Sequence, residues 1–280
     1  MADFKIGVIL DSFRKPIYET LPIAAKLGAQ GFQVYATKGE MSPEEMTAEK
    51  RKEFKKLVAD NGLVISALCG DLGHGFHNAE MNPALVEKSK RILDLAVELG
   101  TDIVTTHIGV VPEDPGHPRF AVMQDACGEL AEYADSLNAH FALETGPESP
   151  DVLKVFLDSL HSTGVAVNYD PANLAMVIGC DVAAGVRTLK DYIVHTHAKD
   201  GVMLRKQDPE ITYGLRKGEM VVTSPAFEEV PLGTGSVPWD KYLEALREIG
   251  YKGFLTIERE VGDDPARDIG LAVEFLKTRI

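Results

Sequence analysis

Short apolar runs alternate with amphipathic segments along the whole chain, about eight times in succession. The apolar runs are short, rich in β-branched residues and often close to a glycine, which is typical of buried parallel strands. The predicted strands are Lys5–Leu10, Gly31–Ala36, Leu63–Leu68, Asp102–His107, His140–Thr145, Val165–Asp170, Ile193–His197 and Gly253–Glu258. The pattern therefore predicts a series of strand–helix units.

The segments between these strands carry helix start and stop signals. Ser42-Pro43-Glu44-Glu45 combines an N-cap, a first-turn proline and a capping-box glutamate, which predicts a helix that starts there. Asn82-Pro83 opens a second helix, and Gly100 ends it. Two more helices are predicted to begin at Pro150 and Pro238. The helices thus alternate with the strands.

Alternating strands and helices favour a parallel sheet with right-handed crossovers. The chain has 280 residues, close to the roughly 250 residues of a typical TIM barrel. A doubly wound open sheet usually carries a glycine-rich phosphate-binding turn after its first strand, but here Leu10 is followed by Asp11-Ser12-Phe13. We therefore predict an α/β fold, a (β/α)8 TIM barrel that forms a single domain over residues 1–280.

Residues 200–235 interrupt the alternation. They follow the seventh predicted strand and contain three prolines and no clean helical period. Long connections of this kind are usually lids, binding loops or subunit contacts, and this one leaves the strand end where barrel enzymes keep their chemistry. We expect an extended loop that serves as a lid or an interface. Gly233-Thr234-Gly235 within it is only a weak signal for phosphate binding.

The charge balance narrows the choice of partners. The chain has 43 acidic and 29 basic residues and a net charge of −14, which argues against nucleic-acid binding because that depends on Lys and Arg contacts. Its three cysteines have no CxxC spacing, so we expect reduced thiols and a cytoplasmic protein. No apolar run approaches the roughly 18 residues of a membrane helix. We therefore expect a soluble protein without a membrane or nucleic-acid partner.

The last four predicted strands each end on a side chain that can bind a metal. These side chains are Glu144, Asp170, His197 and Glu258. Neighbouring strands of a barrel lie about 4.8 Å apart, so that four inward-facing side chains can converge on one ion. Three carboxylates and one imidazole suit Mn²⁺, Mg²⁺, Co²⁺ or Zn²⁺. The sequence therefore predicts a site for one divalent metal ion.

Such a site has a defined chemistry. A metal that binds a carbonyl and its neighbouring hydroxyl acidifies the proton on the hydroxyl-bearing carbon. A ligand glutamate on each side of a sugar, Glu144 and Glu258, could then remove and return that proton through a metal-bound enediolate. We therefore expect these two residues to act as an acid/base pair on a small sugar.

Three more residues are candidates for substrate contact. His107 ends the fourth strand at the face where barrel enzymes usually hold their catalytic groups. Lys199 lies two residues after His197, so that its side chain is expected on the same, inward side of the strand. It could act as an electrophile or a phosphate anchor, or simply pair with Asp200. Phe13 follows the first strand and is the candidate for an apolar substrate wall.

Six stretches of the sequence resemble the sugar phosphate isomerase/epimerase family, within the xylose isomerase-like TIM-barrel superfamily. They are HIGVVPEDP at 107–115, LETG at 143–146, NYDPANL at 168–174, HTHAKD at 195–200, PLGTGSVPW at 231–239 and GYKGFLTIERE at 250–260. The resemblance covers essentially the whole chain. It implies that the metal is held by Glu144, Asp170, His197 and Glu258 and that the two glutamates are also the acid/base catalysts.

The resemblance leaves the reaction open, because the superfamily also includes inosose dehydratases and endonuclease IV. Ketose 3-epimerases commonly have a substrate-binding histidine where this chain has Asn173, and a glutamate where it has Pro150. We expect a metal-dependent isomerase or epimerase of a sugar or sugar phosphate, with Asn173 as a further substrate contact. The alternatives are a keto-polyol dehydratase with the same site and a sugar-binding module without catalysis. Homo-oligomers are common in this superfamily.

Overall fold

The structure is a computed structural model that describes residues 4–217 and 224–280. Eight parallel strands close into a barrel in which the last pairs with the first, Lys5 opposite Phe254. The barrel strands are β1 (Lys5–Ile9), β2 (Gly31–Tyr35), β3 (Val64–Cys69), β4 (Ile103–Thr106), β5 (His140–Glu144), β6 (Val165–Tyr169), β7 (Ile193–Ala198) and β10 (Phe254–Ile257). The predicted TIM barrel is confirmed, and every predicted strand end lies within one residue of the observed one.

Helices connect the strands around the outside of the barrel. They are α1 (Ile17–Leu27), α2 (Ala48–Asp60), α3 (Asn82–Leu99), α4 (Pro118–Ser136), α5 (Pro150–Ser159), α6 (Pro171–Asn173), α7 (Val182–Thr188), α8 (Pro209–Thr212), α9 (Trp239–Glu248) and α10 (Pro265–Lys277). The apolar face of α3, with Ile92 and Ala96 fully buried, packs into the core that also contains Phe141 of β5. No helix in the two described ranges is long and apolar enough to span a bilayer.

The helix start predicted at Ser42 is wrong. Ser42 forms a single turn in which its carbonyl oxygen accepts hydrogen bonds from the N–H groups of Glu45 and Met46. The helix α2 begins six residues later, where the Thr47 hydroxyl accepts a hydrogen bond from the Lys50 N–H at 3.3 Å. The sequence thus carries two N-cap signals in succession, Ser42 and Thr47, and only Thr47 starts the helix. The fully buried Met46 lies between the turn and the helix.

The region after β7 is more ordered than the loop that we expected. Its two ends pair as antiparallel strands, β8 (Asp200–Met203) and β9 (Phe227–Val230), and the short helix α8 lies between them. Residues 218–223 of the predicted insertion lie outside the described residues. The hairpin formed by β8 and β9 starts directly at the mouth of the barrel, where β7 ends.

One buried carboxylate organises the glycine-rich turn that follows this hairpin. Asp200 accepts hydrogen bonds from the backbone N–H groups of Gly233 at 2.9 Å and Val237 at 3.1 Å, and from the Trp239 indole at 3.0 Å. A Cβ on Gly235 would lie 2.2 Å from the same carboxylate, so this position requires glycine. The turn therefore folds around the protein's own anion, which explains its glycines without a phosphate.

Candidate metal centre and active site

Four strand ends meet at the carboxyl-terminal mouth of the barrel. Glu144 ends β5, Asp170 follows β6, His197 lies near the end of β7 and Glu258 follows β10. The His197 Nδ1 atom lies 3.5 Å from Glu144 Oε1, 3.4 Å from Asp170 Oδ2 and 3.3 Å from Glu258 Oε2. One potential ligand atom of each residue lies within 4.8 Å of the others, and all four side chains are buried. The structure thus brings together the four residues that the sequence analysis singled out, which we call the cluster.

The cluster has the properties of a cation site. Three of its inward-facing atoms, Asp170 Oδ2, His197 Nδ1 and Glu258 Oε2, form no hydrogen bond of good geometry within the described chain, although Lys199 Nζ lies 3.0 Å from Glu258 Oε2 as an ion-pair partner. A buried polar group without a partner costs about 1–3 kcal/mol, and a charged one more. One ion accepts electron pairs from all of these atoms at once, and this donor set fits a hard to borderline divalent metal. The residues present therefore fit the metal that the sequence analysis expects.

Charges within the cluster depend strongly on one another. Burial disfavours the imidazolium, but the carboxylates of Glu144 and Glu258 outweigh burial and raise the pKa of His197 well above its usual value. Burial alone would raise the pKa of Glu258, but the neighbouring cations Lys199 and His197 lower it far below its usual value. Burial raises the pKa of Asp170. The buried carboxylates of the cluster are thus stabilised in their ionised form by neighbouring positive charge.

Polar side chains in the interior of the barrel orient two members of the cluster. The His197 Nε2 atom lies 3.1 Å from the Gln33 amide oxygen. The Asn168 amide nitrogen lies 3.1 Å from the same Nε2 atom, and a proton on Nε2 that is donated to Gln33 would leave the Nδ1 lone pair facing the carboxylates. The Asn168 amide donates to Glu144 Oε2 at 3.2 Å, and its oxygen lies 2.8 Å from the Nδ1 atom of His195. Gln33 and Asn168 therefore position two members of the cluster.

His107, a predicted substrate contact, lies at the mouth between two carboxylates. Its Nδ1 atom is 3.0 Å from Asp71 Oδ2, and its Nε2 atom is 3.6 Å from Glu144 Oε1. Burial disfavours the charged ring, but Glu144 and the hydrogen bond with Asp71 raise the pKa of His107 to about 9. A half-buried cationic imidazole therefore lies beside Glu144, and its contact with a substrate stays a prediction.

Lys199 is held within the site by ion pairs. Its Nζ atom lies 3.0 Å from Glu258 Oε2 and 2.6 Å from Glu260 Oε2, and only 5% of the residue is exposed. Asp200, the partner considered for it in the sequence analysis, instead accepts backbone hydrogen bonds such as that of Gly233. Lys199 therefore pairs with one member of the cluster and with Glu260, and its role as an electrophile or anchor stays a prediction.

The remaining two candidates occupy different environments. The side-chain amide of Asn173 donates to Glu144 Oε1 at 3.2 Å, and its backbone N–H donates to Asp170 Oδ1 at 2.9 Å. Asn173 thus touches two members of the cluster. Phe13 is only 2% exposed and packs into the hydrophobic core, so that it offers little surface to a substrate. Direct contacts of both residues with a substrate stay predictions.

The structure also shows polar groups at the mouth that the sequence analysis did not identify. Burial raises the pKa of Glu148 to about 8, so that this carboxyl is mainly protonated at neutral pH. Its Oε2 atom accepts a hydrogen bond from the Val111 N–H at 3.3 Å. The aromatic ring of Tyr213, from the region after β8, lies 6.0 Å from the ring of His107. Gln33 and Asn168 each left a signal in the sequence, as an amide side chain inside an apolar strand.

A cavity of about 220 Å³ opens beside the cluster, on the side of β1 and β10. Glu258 forms part of its wall, together with Ser12, Arg14 and Tyr35. Arg14 adopts a left-handed backbone conformation with φ 54° at the end of the turn that follows β1. The cavity therefore provides space for a small molecule in contact with one of the two glutamates.

Comparisons with known proteins agree with this architecture. The family model described as "Xylose isomerase-like TIM barrel" matches residues 21–279. L-ribulose-5-phosphate 3-epimerase UlaE of Escherichia coli is 22% identical over 279 residues, which cover 94% of this chain and 89% of that protein.

Solved structures show the same barrel. The xylose isomerase domain protein from Planctomyces limnophilus is 27% identical with a TM-score of 0.80, over 98% of this chain and 96% of that one. The probable 3-DHS dehydratase AsbF from Bacillus anthracis is 18% identical with a TM-score of 0.75, over 99% of this chain and 100% of that one. Proteins named for epimerase and for dehydratase activity are thus both similar to this chain.

Proposed function

The chain belongs to the xylose isomerase-like TIM-barrel family, and we propose that it is a divalent-metal-dependent isomerase or epimerase of a sugar or sugar phosphate. The observation that carries this proposal is the buried cluster of Glu144, Asp170, His197 and Glu258, with its ligand atoms within 4.8 Å of one another. The similarity to an L-ribulose-5-phosphate 3-epimerase supports the choice of substrate class.

The cluster would hold the ion through all four side chains. When bound, a divalent ion polarises a sugar carbonyl and so acidifies the proton on the neighbouring carbon. Asp170 and His197 would serve as ligands only, because they come from the two middle strands of the arc β5–β6–β7–β10. Gln33 keeps the His197 ring in the orientation that points Nδ1 at the carboxylates.

The two glutamates come from the ends of this arc and flank the space above the cluster. One carboxylate removes the proton next to the carbonyl, and the other returns a proton to the opposite face in an epimerisation. In an isomerisation the proton returns to the neighbouring carbon. Lys199, 3.0 Å from Glu258 Oε2, keeps Glu258 ionised and ready to accept a proton. His107 beside Glu144 favours ionisation of that carboxyl in the same way.

Metal content and isotope exchange test the proposal together. Protein purified without chelator should hold roughly one divalent ion per chain. In deuterated water it should introduce deuterium next to the carbonyl of at least one ketose from a panel that includes D-tagatose and L-ribulose 5-phosphate. Glu144→Gln should lower this exchange by about 10²–10⁴-fold even where it retains metal. The matched control is Glu248→Gln, since Glu248 lies on the surface in an ion pair with Arg187. Unchanged exchange in Glu144→Gln would remove its catalytic role.

A keto-polyol dehydratase is the second candidate. The same proton abstraction then leads to expulsion of a β-hydroxyl as water. Asn173 binds Glu144 where ketose 3-epimerases commonly carry a substrate-binding histidine, and this departure is the observation that keeps the dehydratase open. Loss of water from an inosose, followed by the absorbance of the unsaturated product, would favour this reaction over epimerisation.

A further inference from the structure

The region after β8 places an aromatic side chain at the mouth of the barrel. Tyr213 follows α8, and its ring lies 6.0 Å from that of His107. Its hydroxyl approaches the backbone beyond β5 so closely that a Cβ on Gly146 would lie 2.5 Å from it. Glu144 and Asp170 are near enough to act electrostatically on the phenol. Tyr213 therefore lies at the mouth beside His107 and Gly146, within electrostatic range of the cluster.

Ion pairs outside the cluster hold this side chain in place. Glu210 on α8 accepts a hydrogen bond from the Arg119 guanidinium of α4 at 2.5 Å. The same carboxylate lies 3.2 Å from Arg216 Nε, and Arg216 also pairs with Asp208, which caps α8. The turn that carries Tyr213 is thus fastened to the barrel wall at α4.

The Tyr213 hydroxyl is available for a ligand. No group in the described ranges forms a hydrogen bond with it, although a phenol can both donate and accept one. Burial raises the pKa of Tyr213 well above its usual value, so that it keeps its proton at all physiological pH values. A neutral hydroxyl that faces a polar mouth is a recognition group for another hydroxyl.

The surroundings of Tyr213 favour a neutral partner over an anion. The cations on this side are already paired: His107 with Asp71, Arg119 with Glu210, and Lys199 with Glu258 and Glu260. The nearby carboxyl of Glu148 adds a hydrogen-bonding group but no positive charge. A phosphate beneath Tyr213 would therefore find no free cation in the described part of this wall.

We propose that Tyr213 is a substrate-binding residue that hydrogen-bonds a hydroxyl of the sugar, and that the end of the substrate beneath it is a neutral polyol. This inference rests on the proposed function and adds to it a contact from outside the barrel strands. Gly146 is part of this arrangement, because a side chain at that position would collide with the phenol.

Tyr213→Phe tests the contact directly. With the ketose that the wild-type protein turns over best, the variant should raise KM about ten-fold, the effect of one hydrogen bond, and should leave Mn²⁺ affinity unchanged. Calorimetry of the Mn²⁺-loaded protein with xylitol should show the same loss of affinity. The control is Tyr133→Phe, which removes a hydroxyl bonded to Asp94 on the outside of α4 and should change neither value.

The outcomes separate this inference from the proposed function. Normal KM and normal xylitol affinity in Tyr213→Phe would overturn the contact and leave the proposed function intact. A wild-type protein that turns over no ketose but binds xylitol ten-fold better than Tyr213→Phe would overturn the function and support the contact. A wild-type protein that neither turns over a ketose nor binds xylitol would overturn both.

A double-mutant cycle checks the position of the phenol independently. Gly146→Ala should raise KM in the wild-type background, because the new methyl group displaces the Tyr213 hydroxyl. In the Tyr213→Phe background the same change should cost less, since the clashing oxygen is gone and the tight contact with Asn173 Cβ, at 3.0 Å, remains in both backgrounds. Equal costs in both backgrounds would show that Gly146 and Tyr213 do not touch and would contradict the inference. Circular dichroism and metal content identify a variant that fails to fold.

Discussion

Strands β5, β6, β7 and β10 deliver all four members of the cluster, whereas β1 to β4 supply no ligand atom to it within the described chain. The first four strands contribute neighbours of the cluster instead. Gln33 of β2 faces His197 at 3.1 Å, and His107 after β4, itself held by Asp71, lies beside Glu144. The first half of the barrel therefore offers no ligand but orients the cluster, a task that Asn168 of β6 shares from the ligand half.

This division separates two requirements of a metal site. The ligand half concentrates negative charge and leaves buried atoms without hydrogen-bond partners, which is unfavourable without a cation. In the orienting half Gln33 and His107 are paired with His197 and Asp71, so that they can fix geometry without competing for the ion. Substitutions in the two halves should accordingly differ in size and in what they change.

The largest effect is expected from the ligand half. Asp170→Asn keeps the size of the side chain and its cap on α6 but removes one charge from the cluster. We expect affinity for Mn²⁺ to fall at least about 100-fold, beyond the range typical of supporting residues, and turnover to fall with it. Calorimetry with Mn²⁺ measures the affinity. Unchanged affinity would mean that Asp170 is not a ligand.

A smaller loss is expected for Gln33→Met, which keeps the length of the side chain but removes the acceptor for His197. Without that acceptor the ring can rotate or change tautomer, so that Mn²⁺ affinity should fall about 10–100-fold. The matched control is Gln124→Met, which removes an amide on α4 bonded to the Ser159 carbonyl. Equal affinities of the two variants would show that the inner network does not support the metal site.

Asp71→Asn should change catalysis without changing metal binding. It weakens the partner that orients His107 but touches no member of the cluster, so we expect kcat/KM to fall about ten-fold, a loss of roughly 1.4 kcal/mol, at constant Mn²⁺ affinity. Steady-state kinetics and calorimetry on the same preparation measure the two quantities. A parallel loss of metal would place Asp71 among the residues that support the ion directly.

The smallest effect concerns stability. Burial raises the pKa of Glu148 to about 8, above the roughly 4.3 of an exposed glutamate. The folded protein then binds more protons than the unfolded chain between these values, so this group loses its contribution to stability as pH rises through 8. Glu148→Gln should remove that dependence.

We expect the Tm of Glu148→Gln relative to wild type to rise steadily from pH 5 to pH 8. Thermal melts at both ends of this range, followed by circular dichroism, measure the difference. Asp71 provides the opposite case, because its contacts with His107 outweigh burial and lower its pKa. A difference in Tm that does not vary with pH would show that Glu148 is already ionised in the folded protein.

The positions of the strands could be predicted from the sequence, because each apolar run is bounded by polar residues or glycine. The four members of the cluster could be singled out because each lies at the end of a predicted strand. Gln33 could not be paired with His197, since 164 residues separate them and only closure of the barrel brings them together. Tyr213 lies in a region with no periodicity, so its place over the mouth depends on ion pairs such as that of Glu210 with Arg119.

The buried carboxylate of Asp200 has a consequence for the evolution of this barrel. It already fills the ring of donors formed by Gly233, Val237 and Trp239. Exchange of this one side chain for serine would release three donors at once beside β8. The two backbone N–H groups and the indole could then bind an external anion instead. A single substitution therefore separates a turn that is filled by its own carboxylate from one that could bind a ligand.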